Sequence, residues 1–514
     1  MSAAERAAGI LCPLFALRGR RDWGIGEIGH LTGFCRWLAA AGHHVLQLLP
    51  ISETSTGERS PYAGSSAFAL DPIHLSLDAV EDFVAAGGEL ALGAGLESAR
   101  SRGDIDYDAV RALKRRALAL AFGRFLATEW EGGSARAEAF RRFRAAESAW
   151  LADYALFRAL RERHRGQPWT AWKPPLRDRV PAALREARAA LAREGLFHEY
   201  VQWLAAEQWA AARREATALG VRLMGDLAFV VSGDSADVWA RQDEFVRDAS
   251  LGAPPDVFDL GGQDWGLPVY RWEAMARNDH AWLRARVARA AALFAAVRLD
   301  HVVGFYRQFV IPSAAPRRFV PAAESDQLAL GERLLGIVRA SAGSAVVTGE
   351  DLGVVPDFVR RSLATLGIPG YRVLRWESDP GVFRDPAGFP PLSVATTGTH
   401  DTSALAAWWE EELGDDGRRA LAAVPSFARL GGAGPAFTPA VHEALLDGLY
   451  GAGSSLVVLP FPDAYGGRER INVPGTVGPP NWGYRQPWTV EELGGSADAP
   501  VQGRLRALAA RHGR

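Results

Sequence analysis

The sequence predicts a (β/α)8 TIM barrel with an inserted, mostly helical subdomain and no separate C-terminal β domain. Three observations carry that expectation. Eight short apolar runs recur along the 514 residues, alanine-rich helical stretches separate many of them, and several runs end in an acidic residue. Continuous apolar runs of this length are typical of parallel strands buried on both faces. Their alternation with helices is typical of a closed parallel barrel.

In chain order the strand candidates are HVLQLLP (44–50), FALDPIHLSL (68–77), RLMGDLAFVV (222–231), AVRLDHVVGF (296–305), AVVTGEDLGVV (345–355), YRVLRWE (371–377), LSVATTGTHD (392–401) and SLVVLPF (455–461). The helical segments LTGFCRWLAAAGH, WLRARVARAAALFAAV and LGERLLGIVRASAG each precede one of them. Residues 1–85 are read as the N-terminal segment with the first barrel strands. Residues 86–205, rich in Ala, Arg, Glu and Leu, are read as the helical insertion. Residues 206–514 complete the barrel and include a lid loop around 250–272. The Gly/Pro-rich runs LGGAGPAF and VPGTVGPPNWG read as surface loops.

Composition narrows the function classes. The net charge of −2 implies no basic face for nucleic acid. Lys114 and Lys173 are the only lysines, so a GxxxxGK phosphate loop cannot be built, and neither sits in a motif suited to Schiff-base chemistry. Cys12 and Cys35 form neither a disulfide framework nor a zinc motif and read as structural thiols. No apolar run is long enough to span a membrane. The first residues carry only a short apolar patch broken by Pro13, too short and poorly flanked for a secretory signal. A cytoplasmic enzyme is expected.

The chemistry is expected at the C-terminal strand ends, where such barrels keep their active sites. Asp226 ends RLMGD, Asp300 ends VRLD, Glu350 ends AVVTGE and Asp401 ends TTGTHD. On a strand, Val297 and Leu299 share one face, while Arg298 and Asp300 share the other. Two chemistries suit such a carboxylate set. Hard-cation binding is one, with His301 and His400 as further ligands, although no H-E-x-x-H run occurs. Glycosyl transfer is the other, with one carboxylate as nucleophile and one protonated carboxyl as acid. Crowded like charges raise one pKa, and Arg298 is placed to keep Asp300 ionised.

The blocks VRLDHVVGF, TGEDLGVV and TGTHDT resemble the signature blocks of the 4-α-glucanotransferases known as amylomaltases or disproportionating enzymes, glycoside hydrolase family 77 of the α-amylase clan. GILCPLFALRGRRDWGIGEIG, GERSPYAGSSAFALDP, MGDLAFVVSGDSADVWA, PPDVFDLGGQDWGLPVYRW and RERINVPGTVGPPNW extend the resemblance in the family's order. It implies Asp300 as nucleophile, Glu350 as general acid/base, and Asp401 as the third carboxylate, which orients sugar hydroxyls. It also implies Arg298 beside the nucleophile, His400 as a hydrogen bonder in the central subsite, and Tyr62 as a stacking platform with Ser60 nearby. Asp226 is implied to bind sugar hydroxyls, Trp265 to lie on the closing loop, and Asn472 to lie near the cleft. The implied reaction is a retaining transfer of α-1,4-glucan segments from a malto-oligosaccharide to a glucan or glucose acceptor (EC 2.4.1.25), with no cofactor and no metal. Retention implies carboxyl groups ~5–5.5 Å apart. The implied partners are α-1,4-glucans, with no nucleic acid or membrane, in a monomer or weak homo-oligomer. An α-glucan hydrolase and a non-catalytic glucan-binding barrel remain the alternatives. Asp71, Val302, Val303 and Thr402 depart from the family pattern, which leaves subsite affinity and preferred chain length open.

Overall fold

A computed structural model describes residues 6–92, 95–101, 103–255, 261–379 and 381–514. Eight parallel strands form one sheet: β1 (Ala7–Leu11), β2 (Val45–Gln47), β3 (Arg222–Leu227), β4 (Ala296–Leu299), β5 (Val346–Gly349), β6 (Gly370–Val373), β7 (Ser393–Thr396) and β8 (Leu456–Pro460). Apart from β5 and β6, each strand pairs with its neighbour in chain order, and β8 pairs with β1 in register from Ala7 against Leu456 to Leu11 against Pro460. Both of those strands are buried at every position, because helices cover one face and the barrel interior the other.

The seam lies between β5 and β6. Gly349 N–H donates to the Pro369 carbonyl (2.9 Å), and the Asp351 carboxylate accepts from Tyr371 N–H (2.6 Å). Arg372 and Arg360 neutralise that carboxylate at 3.3 and 3.6 Å. Gly370 leaves it room, since a Cβ there would stand 2.6 Å from the Asp351 oxygens. A side chain thus completes what the backbone ladder leaves open.

Seven of the eight strand expectations match. The run at 68–77 does not form a strand. Leu70 makes a single bridge to Ser52, and Pro72–His74 and Leu77–Ala79 are 3-10 turns. Pro72 has no amide to give a ladder, and Asp71 caps the turn through Ile73 N–H (3.1 Å). The eighth strand is β1, whose run AAGIL falls in the short apolar patch ahead of Pro13 and is not among the strand candidates.

Between β2 and β3 the chain is mostly helical. Tyr107–Phe125 starts on the Asp106 cap to Ala109 N–H (3.1 Å), Ala135–Ala146 on the Ser134 cap to Ala137 N–H (3.2 Å), and Leu151–Arg163 follows. Ala192–Ala218 then leads back into β3, burying Phe197, Tyr200, Leu204 and Trp209. The segment expected as a lid loop is largely strand. Phe245–Ala253 and Gln263–Tyr270 pair antiparallel, and the first also pairs with Gln308–Pro312, which pairs with Arg318–Val320. Residues 256–260 of that segment lie outside the described residues. A paired ladder explains the difference, since it satisfies backbone groups that a loop would leave to water.

Among the described residues no helix is long and apolar enough to cross a membrane, and no group of three or more His, Cys, Asp or Glu is arranged to hold a metal ion.

Candidate active site

Three neighbouring strands deliver three acids to one cation. Asp226 lies in β3, Asp300 follows β4, and Glu350 follows β5. Arg298, inside β4, reaches all of them. Its Nη1 lies 2.6 Å from Asp226 Oδ2 and 3.2 Å from Asp300 Oδ1, and its Nη2 lies 3.2 Å from Glu350 Oε2. The face expected for Arg298 and Asp300 is the inward one, and Val297 and Leu299 are packed behind it. The sequence reading assigned Arg298 to the nucleophile alone. In the structure its shortest contact is to Asp226, and it serves all three acids.

Backbone bonds fix the two carboxylates that face the cleft. Phe229 N–H donates to Asp300 Oδ2 (3.2 Å), and His301 N–H donates to Glu350 Oε2 (2.8 Å). The donor, His301, has φ of 46°, a left-handed conformation uncommon outside glycine. The strand ends are tied by Glu350 N–H to the Leu299 carbonyl (2.9 Å) and Val302 N–H to the Glu350 carbonyl (3.2 Å).

The electrostatics separate the acids. Burial pushes the Glu350 carboxyl up to about 8, with Arg298 opposing and Asp300 reinforcing the rise. Burial also raises Asp226, again opposed by Arg298. Burial pushes the His301 imidazole down to about 4, so it is neutral at physiological pH.

A cleft of about 1810 Å³ opens above these groups. Asp300, Glu350 and Asp401 line it, as do Ser60, Tyr62, Trp265, His400 and Asn472. Arg298 and Asp226 lie buried beneath its floor. Asp401 stands on the opposite side with its own support: Asn472 donates to its Oδ1 (2.6 Å), His400 Nε2 lies 3.4 Å from the same oxygen, and Arg470 holds its backbone carbonyl (2.7 Å). Tyr62 stacks on His400 with centroids 5.2 Å apart, and its hydroxyl donates to Asp226 Oδ2 (2.8 Å). The Ser60 hydroxyl accepts from Tyr62 N–H (3.3 Å). Trp265, on the strand Gln263–Tyr270, meets the His301 ring edge-on at 4.8 Å.

Sequence reasoning missed Trp482. Its ring lies 6.0 Å from Tyr62 and 5.9 Å from His400, completing an aromatic corner of the cleft. The run PPNWG reads as a surface loop and closes one of the resemblance blocks, and the tryptophan within it is the available signal. The departures from the family pattern are absorbed locally. Asp71 accepts both Arg111 nitrogens at 3.0 Å. The Thr402 hydroxyl closes its own turn on the Thr399 carbonyl (3.0 Å). Val302 is fully buried, and Val303 lines the cleft.

Known proteins of the same shape bear on this arrangement. A glycoside hydrolase 77 profile, described as 4-alpha-glucanotransferase, matches residues 12–489. A 4-alpha-glucanotransferase of Thermus thermophilus is 37% identical over 419 residues, covering 79% of this chain and 80% of its own. One from Chlamydia pneumoniae is 31% identical over 503 residues, covering 94% of this chain and 92% of its own. The amylomaltase from Streptococcus agalactiae, solved in complex with acarbose, superposes with a TM-score of 0.84 at 25% identity, covering 99% of this chain and all of that one.

Proposed function

The chain belongs to the 4-alpha-glucanotransferase family and is an enzyme of that activity, and from that premise we propose that this cleft works by retaining double displacement on α-1,4-glucans. Glu350, protonated near neutrality, gives its proton to the leaving glycosidic oxygen while Asp300 attacks the anomeric carbon. The bond to the leaving glucan breaks and a glycosyl–Asp300 ester forms. Glu350 then takes the proton of an incoming 4-hydroxyl, whose oxygen attacks the same carbon and releases Asp300. The stereochemistry is inverted twice and so retained.

The observation that carries this reading is the shared guanidinium. Two nitrogens of Arg298 touch the nucleophile and the acid at 3.2 Å each, so one cation holds both at the same bond. Asp401, held by Asn472, orients sugar hydroxyls. Tyr62, His400 and Trp482 receive the apolar sugar face. Asp226 acts through Tyr62 and Arg298, because it is buried beneath the cleft floor. This differs from the direct sugar contact implied for it by the resemblance. Trp265 covers the reacting centre from the antiparallel sheet, which favours a sugar acceptor over water.

We also read the chain as a monomer or weak homo-oligomer. Two buried free thiols, Cys12 and Cys35, fit a reducing cytoplasm.

Incubation with maltotriose tests the reading. Disproportionation yields glucose and longer chains with little net gain of reducing ends. A steady rise in reducing ends would instead establish hydrolysis. The pH profile is a second expected outcome. The acid works only while protonated and its pKa is about 8, so kcat/KM holds through neutrality and falls as pH rises through about 8. Full activity maintained well above that pH would remove Glu350 from the acid role.

A further inference from the structure

Arg307 lines the cleft and, among the described residues, has no anionic partner. Its amide donates to the Val303 carbonyl (3.0 Å), which places it one helical turn after Val303 on the same wall. Its guanidinium lies over the Phe319 ring, 4.0 Å from the centroid, and its Nη2 donates to the Val354 carbonyl (3.3 Å). Its Nε is buried with no hydrogen-bond partner among the described residues. Among the described residues no carboxylate lies within 4.0 Å, and Glu324 acts only at longer range. Arg360, on the same cleft, is by contrast taken up by Asp351.

Val354 presents the other half of the surface. It lines the cleft four residues beyond Glu350 and is 52% exposed. Its exposed side chain offers an apolar surface that a sugar's C–H face can cover, and that burial is favourable. An apolar patch beside unspent charged donors matches the edge of a pyranose ring, which has C–H groups on its face and hydroxyls at its rim. The Phe319 ring fixes the guanidinium plane, so less freedom is lost when a hydroxyl binds.

We propose that Arg307 and Val354 form an outer glucosyl subsite that makes the enzyme favour long α-1,4-glucans over short ones. This rests on the glucan reading of the cleft and names the part of the chain that senses length. Arg307 donates to sugar hydroxyls, and Val354 packs against the ring.

The test compares kcat/KM for transfer from maltoheptaose and from maltotriose. In Arg307→Ala the ratio of the two falls at least about ten-fold, the effect of losing a hydrogen bond from a charged donor. Arg307→Lys recovers part of it, and Val354→Ser lowers the ratio by a smaller factor. An unchanged ratio, or an equal loss on both substrates, would overturn the proposal. Thermal melts identify any variant that has lost its fold, and Val354→Ser then decides. A binding measurement separates this claim from the transfer reading. Calorimetry of maltoheptaose with Asp300→Asn, with and without Arg307→Ala, needs no turnover. Weaker binding in the double variant supports the subsite, and equal binding refutes it. Hydrolysis of maltotriose by the wild type would sink the transfer reading and leave the calorimetric result standing.

Discussion

Asp300→Asn is expected to abolish glucan transfer, with kcat falling by at least about four orders of magnitude. The amide keeps the shape and still accepts the Phe229 N–H, so the cleft geometry survives. It is neutral, and its oxygen is too weak a nucleophile to form the glycosyl ester. Arg298 retains Asp226 and Glu350 as partners, so folding should change little. The measurement is a maltotriose time course together with a thermal melt. Transfer at the wild-type rate from a folded variant would show that another group attacks the anomeric carbon.

Arg298→Leu is expected to damage both fold and chemistry. The side chain is 3% exposed, and its removal leaves the wholly buried Asp226 carboxylate without its cation. Breaking a buried pair by deleting one member costs about 3–5 kcal/mol, because the remaining charge stays desolvated. Burial already raises the Asp226 pKa, and without Arg298 nothing of comparable strength opposes that rise. The variant should relieve the cost by binding protons, so its deficit should grow as pH rises from acid to neutral. Denaturant titrations at pH 5 and pH 7.5 measure this. Arg298→Lys retains the charge but offers one point donor where three carboxylates share a fork, so it should recover only part of the stability and little of the rate. Wild-type activity in the lysine variant would show that geometry at this position is unimportant.

The barrel was legible because its strands are buried on both faces. VRLD, AVVTG and LVVLP cannot be mistaken for surface segments, and the first two end where the chemistry begins. The reading failed where local composition and pairing diverge. FALDPIHLSL has the apolar content of a strand, but Pro72 and the Asp71 cap turn it into 3-10 turns. AAGIL is short and alanine-rich, and only its pairing on both sides with β8 and β2 makes it a strand. The antiparallel sheet behind Trp265 was hidden for a related reason. Its strand Phe245–Ala253 is largely exposed or half-buried and lacks an apolar run.

The acids of the site and the roles implied for them were readable from strand ends and resemblance, but the sharing of Arg298 among them was not. Sequence spacing pairs Arg298 with Asp300. The tighter contact, to Asp226, comes from a strand 72 residues earlier, and only the closed sheet brings it there. Trp482 shows the same limit, since its neighbours Tyr62 and His400 are remote in the chain.

The shared guanidinium has a consequence in time as well as in space. While Asp300 is an anion, its charge helps hold the Glu350 proton in place. In the proposed mechanism, esterification of Asp300 removes that charge, and Arg298 remains beside Glu350 with one fewer anion to satisfy. The affinity of Glu350 for its proton therefore drops at the step where it has just given the proton away and must stay empty. The covalent bond on one residue resets its neighbour from donor to acceptor, and breaking that bond restores it. The catalytic cycle thus carries its own clock, set by the charge state of Asp300.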